Sequence, residues 1–276
     1  MPNKILNSFA SVISQKPIVV LVIGLILLLV SAFNIPNFKL EASSDSLVLE
    51  NDEDLRYYRE ISKEYSTSDF LVVLFTPEKP LFSIESIKNV RTLSDRFEKL
   101  DGVSDVLSYL DAPLLFSPKK SMSELADNLK TIEEEGVDLN LAKQEFQDSP
   151  LYTELLVSKD AKTTALQLNL NESEEYDAAI QKRYQLRQGL VEGGEENIEE
   201  QIIQVNSLIS ALNNQEAKDR DKLIAEVREI LRDSSEFGSL YLGGTAMIAS
   251  DMMSFVKSDL NYFGVGVFII FILTLG

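Results

Sequence analysis

Ser239-Leu240-Tyr241-Leu242-Gly243-Gly244-Thr245-Ala246-Met247-Ile248-Ala249-Ser250-Asp251 joins two kinds of structure, and the uncharged run Leu260 to Gly276 follows it. Leu240, Tyr241 and Leu242 read as a short apolar strand. Gly243-Gly244 breaks it, and the residues after the glycines read as a helix carrying Asp251 and Asp259. Tyr262 to Gly276 then contributes 15 apolar or small residues. A helix crossing a bilayer core needs about 20. The stretch therefore reads as a strand handing over to the start of a membrane span, with the sequence stopping inside it.

A second apolar run lies near the other end. Ile18 to Ile35 holds 18 residues without a charge, which at about 1.5 Å per residue reaches across a bilayer core. Pro17 suits the first helical turn and Pro36 a stop. A cleaved signal peptide is the alternative, with Val30-Ser31-Ala32 as its cleavage site, but the 16-residue leader and the length of the run favour a retained span. Ahead of it, Ile5, Phe9, Val12 and Ile13 share one helical face flanked by Lys4 and Lys16. That spacing predicts a short helix in the membrane interface over residues 1–16. Lys4 and Lys16 place this end in the cytoplasm, so the region beyond residue 35 is extracytoplasmic, periplasmic where a periplasm exists.

Charge separates the same regions. The net charge is −18, yet residues 1–35 hold two bases and no acid, so all 44 acids lie beyond the first span. An acidic face of this size argues against nucleic acid as a partner. With no Cys and no His, the chain by itself builds no disulfide, thiolate nucleophile, Cys/His zinc site or Ser-His-Asp triad. No phosphate loop is present, and no cofactor or metal is expected. Asn171-Glu172-Ser173 matches the short glycosylation pattern, which arises often by chance.

Between the spans the pattern is mixed. Phe38 to Arg59 reads as a polar linker, leading into a helix near Asp54–Tyr65. Phe70-Leu71-Val72-Val73-Leu74-Phe75, closed by Pro77, reads as a buried strand. Ser83 is an N-cap with Glu85 in the first turn. Ile84, Ile87, Val90, Leu93, Phe97 and Leu100 then form one helix face, ended by Asp101-Gly102. Val103 to Tyr109 is a second strand. Ser121-Met122-Ser123-Glu124 forms a capping box for a helix with Met122, Leu125, Leu129 and Ile132 on one face and Gly136 as its stop. Leu139 to Gln147 predicts a short helix. Thr164, Leu166, Leu168 and Leu170 alternate as a strand.

Residues 174–233 predict a helical hairpin. Ile198, Ile202, Val205, Ile209 and Leu212 repeat at spacings of four and three, a heptad seam, which Glu216 and Asp219 interrupt before Leu223 and Ile230. Gly193-Gly194 is the expected apex, with Asn213-Asn214 as the alternative bend. The hairpin either packs on itself or projects toward a partner. Set in order, the elements read strand–helix–strand twice, the split ferredoxin-like arrangement, with the hairpin growing from the second crossover. The fold class is α+β, a membrane protein fragment flanked by transmembrane helices. Its parts are an interfacial segment 1–16, a span 17–35, an extracytoplasmic domain 36–258 and the start of a second span 259–276.

Three stretches carry a family resemblance: Tyr241 to Met253 with Val256-Lys257-Ser258-Asp259-Leu260 and Phe263-Gly264-Val265-Gly266-Val267; Val103 to Leu115; and Ser149-Pro150-Leu151-Tyr152 through Ser158, with Thr163 to Gln167. Together they resemble the RND-superfamily permeases, nearest the MMPL/Patched-like branch. The resemblance implies an N-terminal piece of a proton-driven exporter of lipidic or amphiphilic substrates, with a porter domain between its first two membrane helices. It implies as partners the bilayer, the rest of the permease bundle, the substrate, and a homo-oligomer or periplasmic protein met through the hairpin. The family's proton-relay acids lie in later helices, so no residue here takes that role and the fragment alone is not expected to transport. Gly243 and Gly244 are the candidate hinge or coupling point, a plain tight turn being the alternative. Asp251, Lys257 and Asp259 are candidate membrane-interface charges. A membrane-anchored extracytoplasmic ligand-binding sensor is the competing reading. An acid-pair glycosidase is a weaker one, since 44 acids single out no pair.

Overall fold

The computed structural model describes residues 69–117, 129–171, 173–191 and 197–275, together with 18, 22–24, 26, 30 and 33. The chain divides into two units, Met1–Arg59 and Glu60–Gly276. In the first, the described residues are helical; the expected interfacial helix, most of the expected first span, and the linker with its Asp54–Tyr65 helix lie outside the described residues.

The second unit is a mixed α/β structure built on one antiparallel four-stranded sheet. Its elements are β1 (Phe70–Pro77), α1 (Ile84–Phe97), β2 (Val103–Leu107), α2 (Leu139–Asp148), β3 (Thr164–Leu170), α3 (Glu174–Val191), α4 (Ile198–Asp233), β4 (Gly238–Gly243) and α5 (Thr245–Leu275). The strands lie in the order β2-β3-β1-β4. Register follows the apolar alternation: Leu71 faces Leu168 and Val73 faces Leu166 across β1–β3, while Phe75 faces Leu240 across β1–β4.

Ser83 caps α1, its Oγ accepting the Ser86 amide at 3.2 Å. That start aims Val90, Leu93 and Phe97 at the sheet, all fully buried. The second half of α4 lays Leu223, Ile224, Val227 and Ile230 into the same core. Both helices thus cover one face, the one bearing Leu71, Val73, Phe75, Leu166 and Leu168. The other face is open. Phe70 and Leu74 are 37% and 45% exposed and Tyr241 66%. This corrects the reading of Phe70–Phe75 as a strand buried throughout. A continuous apolar run is indifferent to which of its two faces is covered, and here only the odd-numbered positions are.

The segment between β2 and β3 builds an aromatic annex. Tyr109 donates its hydroxyl to the Leu81 carbonyl at 3.1 Å, and its ring meets Phe82 and Phe146 edge-on at 5.5 and 5.7 Å. Burial pushes the Tyr109 phenol well above its ordinary range. Tyr109→Phe is expected to cost about 1–2 kcal/mol, because it strands the Leu81 carbonyl while preserving the ring contacts; urea unfolding followed by circular dichroism measures it. Arg91 of α1 braces the annex by pairing with Glu133 and with Asp111 at 3.5 Å. The expected capping box and residues 118–128 of the helix behind it lie outside the described ones; from 129 to 136 the backbone is not helical. Lys130 forms an isolated bridge with Leu114, whose amide donates to the Lys130 carbonyl at 2.7 Å, and Leu129 is half exposed. Ile132 is buried.

α3 and α4 form the hairpin, closed by Ala179, Val205 and Ile209 with Tyr176, Ile180, Leu186 and Leu212 packed around them. α4 runs unbroken through Asn213-Asn214, so the bend is not there. The turn falls between Val191 and Ile198; Gly193 and Gly194 lie outside the described residues.

Candidate functional site

The region where β4 becomes α5 joins the sheet to the longest apolar helix described. β4 is held against β1 from Pro77↔Gly238 to Val72↔Gly243. One residue, Gly244, separates the strand from the helix, and its carbonyl accepts the Ile248 amide at 3.1 Å to close the first turn. Gly244 has φ +111°, a conformation that L side chains rarely adopt. A Cβ there would stand 2.9 Å from the Phe70 carbonyl oxygen and 3.1 Å from the Leu71 Cα. Gly243 differs, since a Cβ would meet nothing closer than the Val72 oxygen at 3.9 Å.

The first turns of α5 are fixed to the domain. Ala246 is buried and Met247 packs against the sheet core. Asp251 accepts from Arg228 Nη2 of α4 through both carboxylate oxygens, at 3.0 and 2.7 Å. Ser250 donates to Asp221, also on α4. Asp221 and Arg228 are about two helical turns apart, yet they are reached from adjacent residues of α5. The two helices therefore cross rather than run side by side. The helix that covers the sheet is thus also the one that holds the root of α5.

Beyond Asp251 the helix is bare. Met252, Phe255, Tyr262, Phe263 and Leu273 are between 62% and 78% exposed. Thr245–Thr274 is long and apolar enough to cross a membrane, with mean hydropathy 1.6 over its most apolar window and none of that window buried. At about 1.5 Å per residue these 30 residues exceed a 30 Å hydrocarbon core, so the anchored first turns need not enter it. Lys257 and Asp259 are exposed on this stem. Gly243 and Gly244 stand at the strand–helix junction and Asp251 in the second turn of α5; Lys257 and Asp259 stand further along the helix. Residues 245–258, expected as the end of the extracytoplasmic domain, are continuous with 259–275 as one helix.

Sequence reading missed Arg228, Asp221 and Ser250. Arg228 is one base in a charged helix, and nothing local marks its partner on the next element. Arg228→Ala is expected to lower global stability by no more than about 1 kcal/mol, as for other exposed pairs, while raising amide exchange at Ala249–Met253 several-fold. Exchange mass spectrometry reads both. Among the described residues, no group of three or more acidic side chains is arranged to hold a metal ion.

No protein-family model matches the chain, and no curated protein matches it.

Proposed function

We propose that the chain is the N-terminal part of a proton-driven, RND-type exporter of lipidic or amphiphilic substrates, of the MMPL/Patched-like branch. In this reading residues 36–258 form an extracytoplasmic, ferredoxin-like porter domain, the N-terminus is cytoplasmic, and the host membrane is the plasma (inner) membrane. The all-antiparallel order β2-β3-β1-β4 supports the split βαβ topology. The extension of the second crossover into the α3–α4 hairpin matches the insertion the sequence predicts. The observation that carries the functional reading is the rooted helix. α5 leaves β4 after one residue that is pressed against the β1 backbone, and α4 clamps its second turn through Asp251. A tilt of the apolar stem is then transmitted to the sheet as a rigid lever. Gly244 acts in this scheme by close packing, and Gly243 as an ordinary strand residue.

Efflux of a fluorescent amphiphile from cells carrying the full-length gene product tests the proposal. Efflux should exceed that of cells lacking the gene and collapse when an uncoupler removes the proton gradient. Equal accumulation with and without the gene sinks it. The rooted helix suits a second reading equally, a membrane-anchored extracytoplasmic ligand-binding sensor, because a lever also carries a binding signal. That reading expects no uncoupler-sensitive efflux.

A further inference from the structure

Helix α4 serves two apolar clusters. Its first half packs Val205 and Ile209 on α3, and its second half packs Leu223, Ile224, Val227 and Ile230 on the sheet. Between them, from Asn213 to Lys222, no residue is buried. Glu216 occupies this gap, four residues after Leu212, where the heptad seam calls for an apolar side chain. Its Oε1 is shielded from solvent and has no hydrogen-bond partner. Ser173 lies beside the carboxyl, and its Oγ accepts the Tyr176 amide at the start of α3, at 3.3 Å.

The charged groups facing Glu216 come from three elements. Arg220 lies one turn on along α4, Asp177 is in the first turn of α3, and Asp69 immediately precedes β1. Arg220 pairs with Asp69 at 3.1 Å. Acidic groups from two other elements thus face Glu216 at the start of the hairpin. An orphaned buried oxygen and like-charged neighbours both disfavour an ionised Glu216.

We propose that Glu216 is an acid-sensitive latch at the root of the α3–α4 hairpin, holding the hairpin against the sheet domain when protonated and loosening it when ionised. Protonation removes the repulsion from Asp177 and Asp69 and gives the carboxyl a hydrogen to donate. Burial, the largest influence, raises the Glu216 pKa above the usual carboxylate value. Asp177 and Asp69 add to that, against Ser173 and Arg220, which lower it. The sign follows from linkage. An acid whose folded pKa is raised adds stability that is fully present below the ordinary carboxylate value and is lost as pH rises through the raised one. The latch does not depend on the export reading.

The chain has no cysteine, so site-directed labels are clean. In the full chain in nanodiscs, amide exchange at 212–220 and 174–180, corrected for intrinsic rates, is expected to slow several-fold as pH falls from 8 to 4.5. Glu216→Gln should hold the slow rates at both values. Constant opening across this range in the unmodified chain overturns the proposal, and so does an unchanged pH dependence in Glu216→Gln. Should that variant not fold, spin labels at Gln204→Cys and Glu78→Cys decide with Glu216 intact. A distance distribution that narrows at low pH supports the latch, and one that does not overturns it.

Discussion

Gly244→Ala is expected to lower the stability of the sheet domain by about 2–5 kcal/mol. Two costs combine. The residue sits at φ +111°, where a side chain clashes with its own backbone at about 1–2 kcal/mol. The added methyl also meets the backbone of another strand, 2.9 Å from the Phe70 oxygen and 3.3 Å from the Val72 nitrogen. No rotamer change relieves a clash with a central strand, and overpacking of this kind costs about 1–3 kcal/mol. Gly243→Ala is the control. Its Cβ is in ordinary contact, and a strand-interior glycine loses little by gaining a methyl, so the expected change is under about 1 kcal/mol. Urea unfolding followed by far-ultraviolet circular dichroism separates the two, since the chain has no Trp to report by fluorescence. Equal midpoints for the two variants would overturn the close-packed junction and, with it, the rigid lever.

Ile224→Ala is expected to cost the sheet domain about 2–5 kcal/mol, the usual range for a buried isoleucine truncated to alanine. Ile224 is 2% exposed in the large core cluster. Ile209, on the same helix and 5% exposed, belongs to the small cluster of the hairpin. Ile209→Ala should therefore speed amide exchange in α3 and in the first half of α4 while leaving β1 and β3 protected. The boundary between the two responses should fall within Asn213–Lys222, where no residue is buried. Native-state exchange reads this directly. If Ile209→Ala exposes β1 as much as Ile224→Ala does, the two clusters unfold as one, and the joint proposed around Glu216 has nothing to separate.

Several elements were legible because local chemistry determines them. Ser83 before an apolar face starts α1, the run Leu139 to Gln147 makes α2, and the alternation Thr164-Leu166-Leu168-Leu170 makes β3. In each, one periodicity fits and the flanking residues stop it. Phe70–Phe75 was legible as a strand but not as a one-sided strand, because six consecutive apolar residues carry no period-2 signal. The helix expected to run on to Gly136 lies mostly outside the described residues, and its described end, 129–136, is not helical. There Ile132 enters the core and Lys130 forms a bridge with Leu114.

At the junction the division is the same. The sequence by itself determined that β4, two glycines, a helix and an uncharged apolar run succeed one another at Ser239–Gly276, because each depends on neighbours in the chain. It also determined that Glu216 breaks an apolar seam. Only the tertiary structure decided that Gly244 and not Gly243 is sterically required, since the atoms that forbid a side chain belong to β1. The pairing of Asp251 with Arg228, and the place of Glu216 between two clusters beside Asp69 and Asp177, were decided there too. Both depend on where α4 crosses other elements. A crossing is set by the packing of whole apolar faces, which no local pattern of charges encodes.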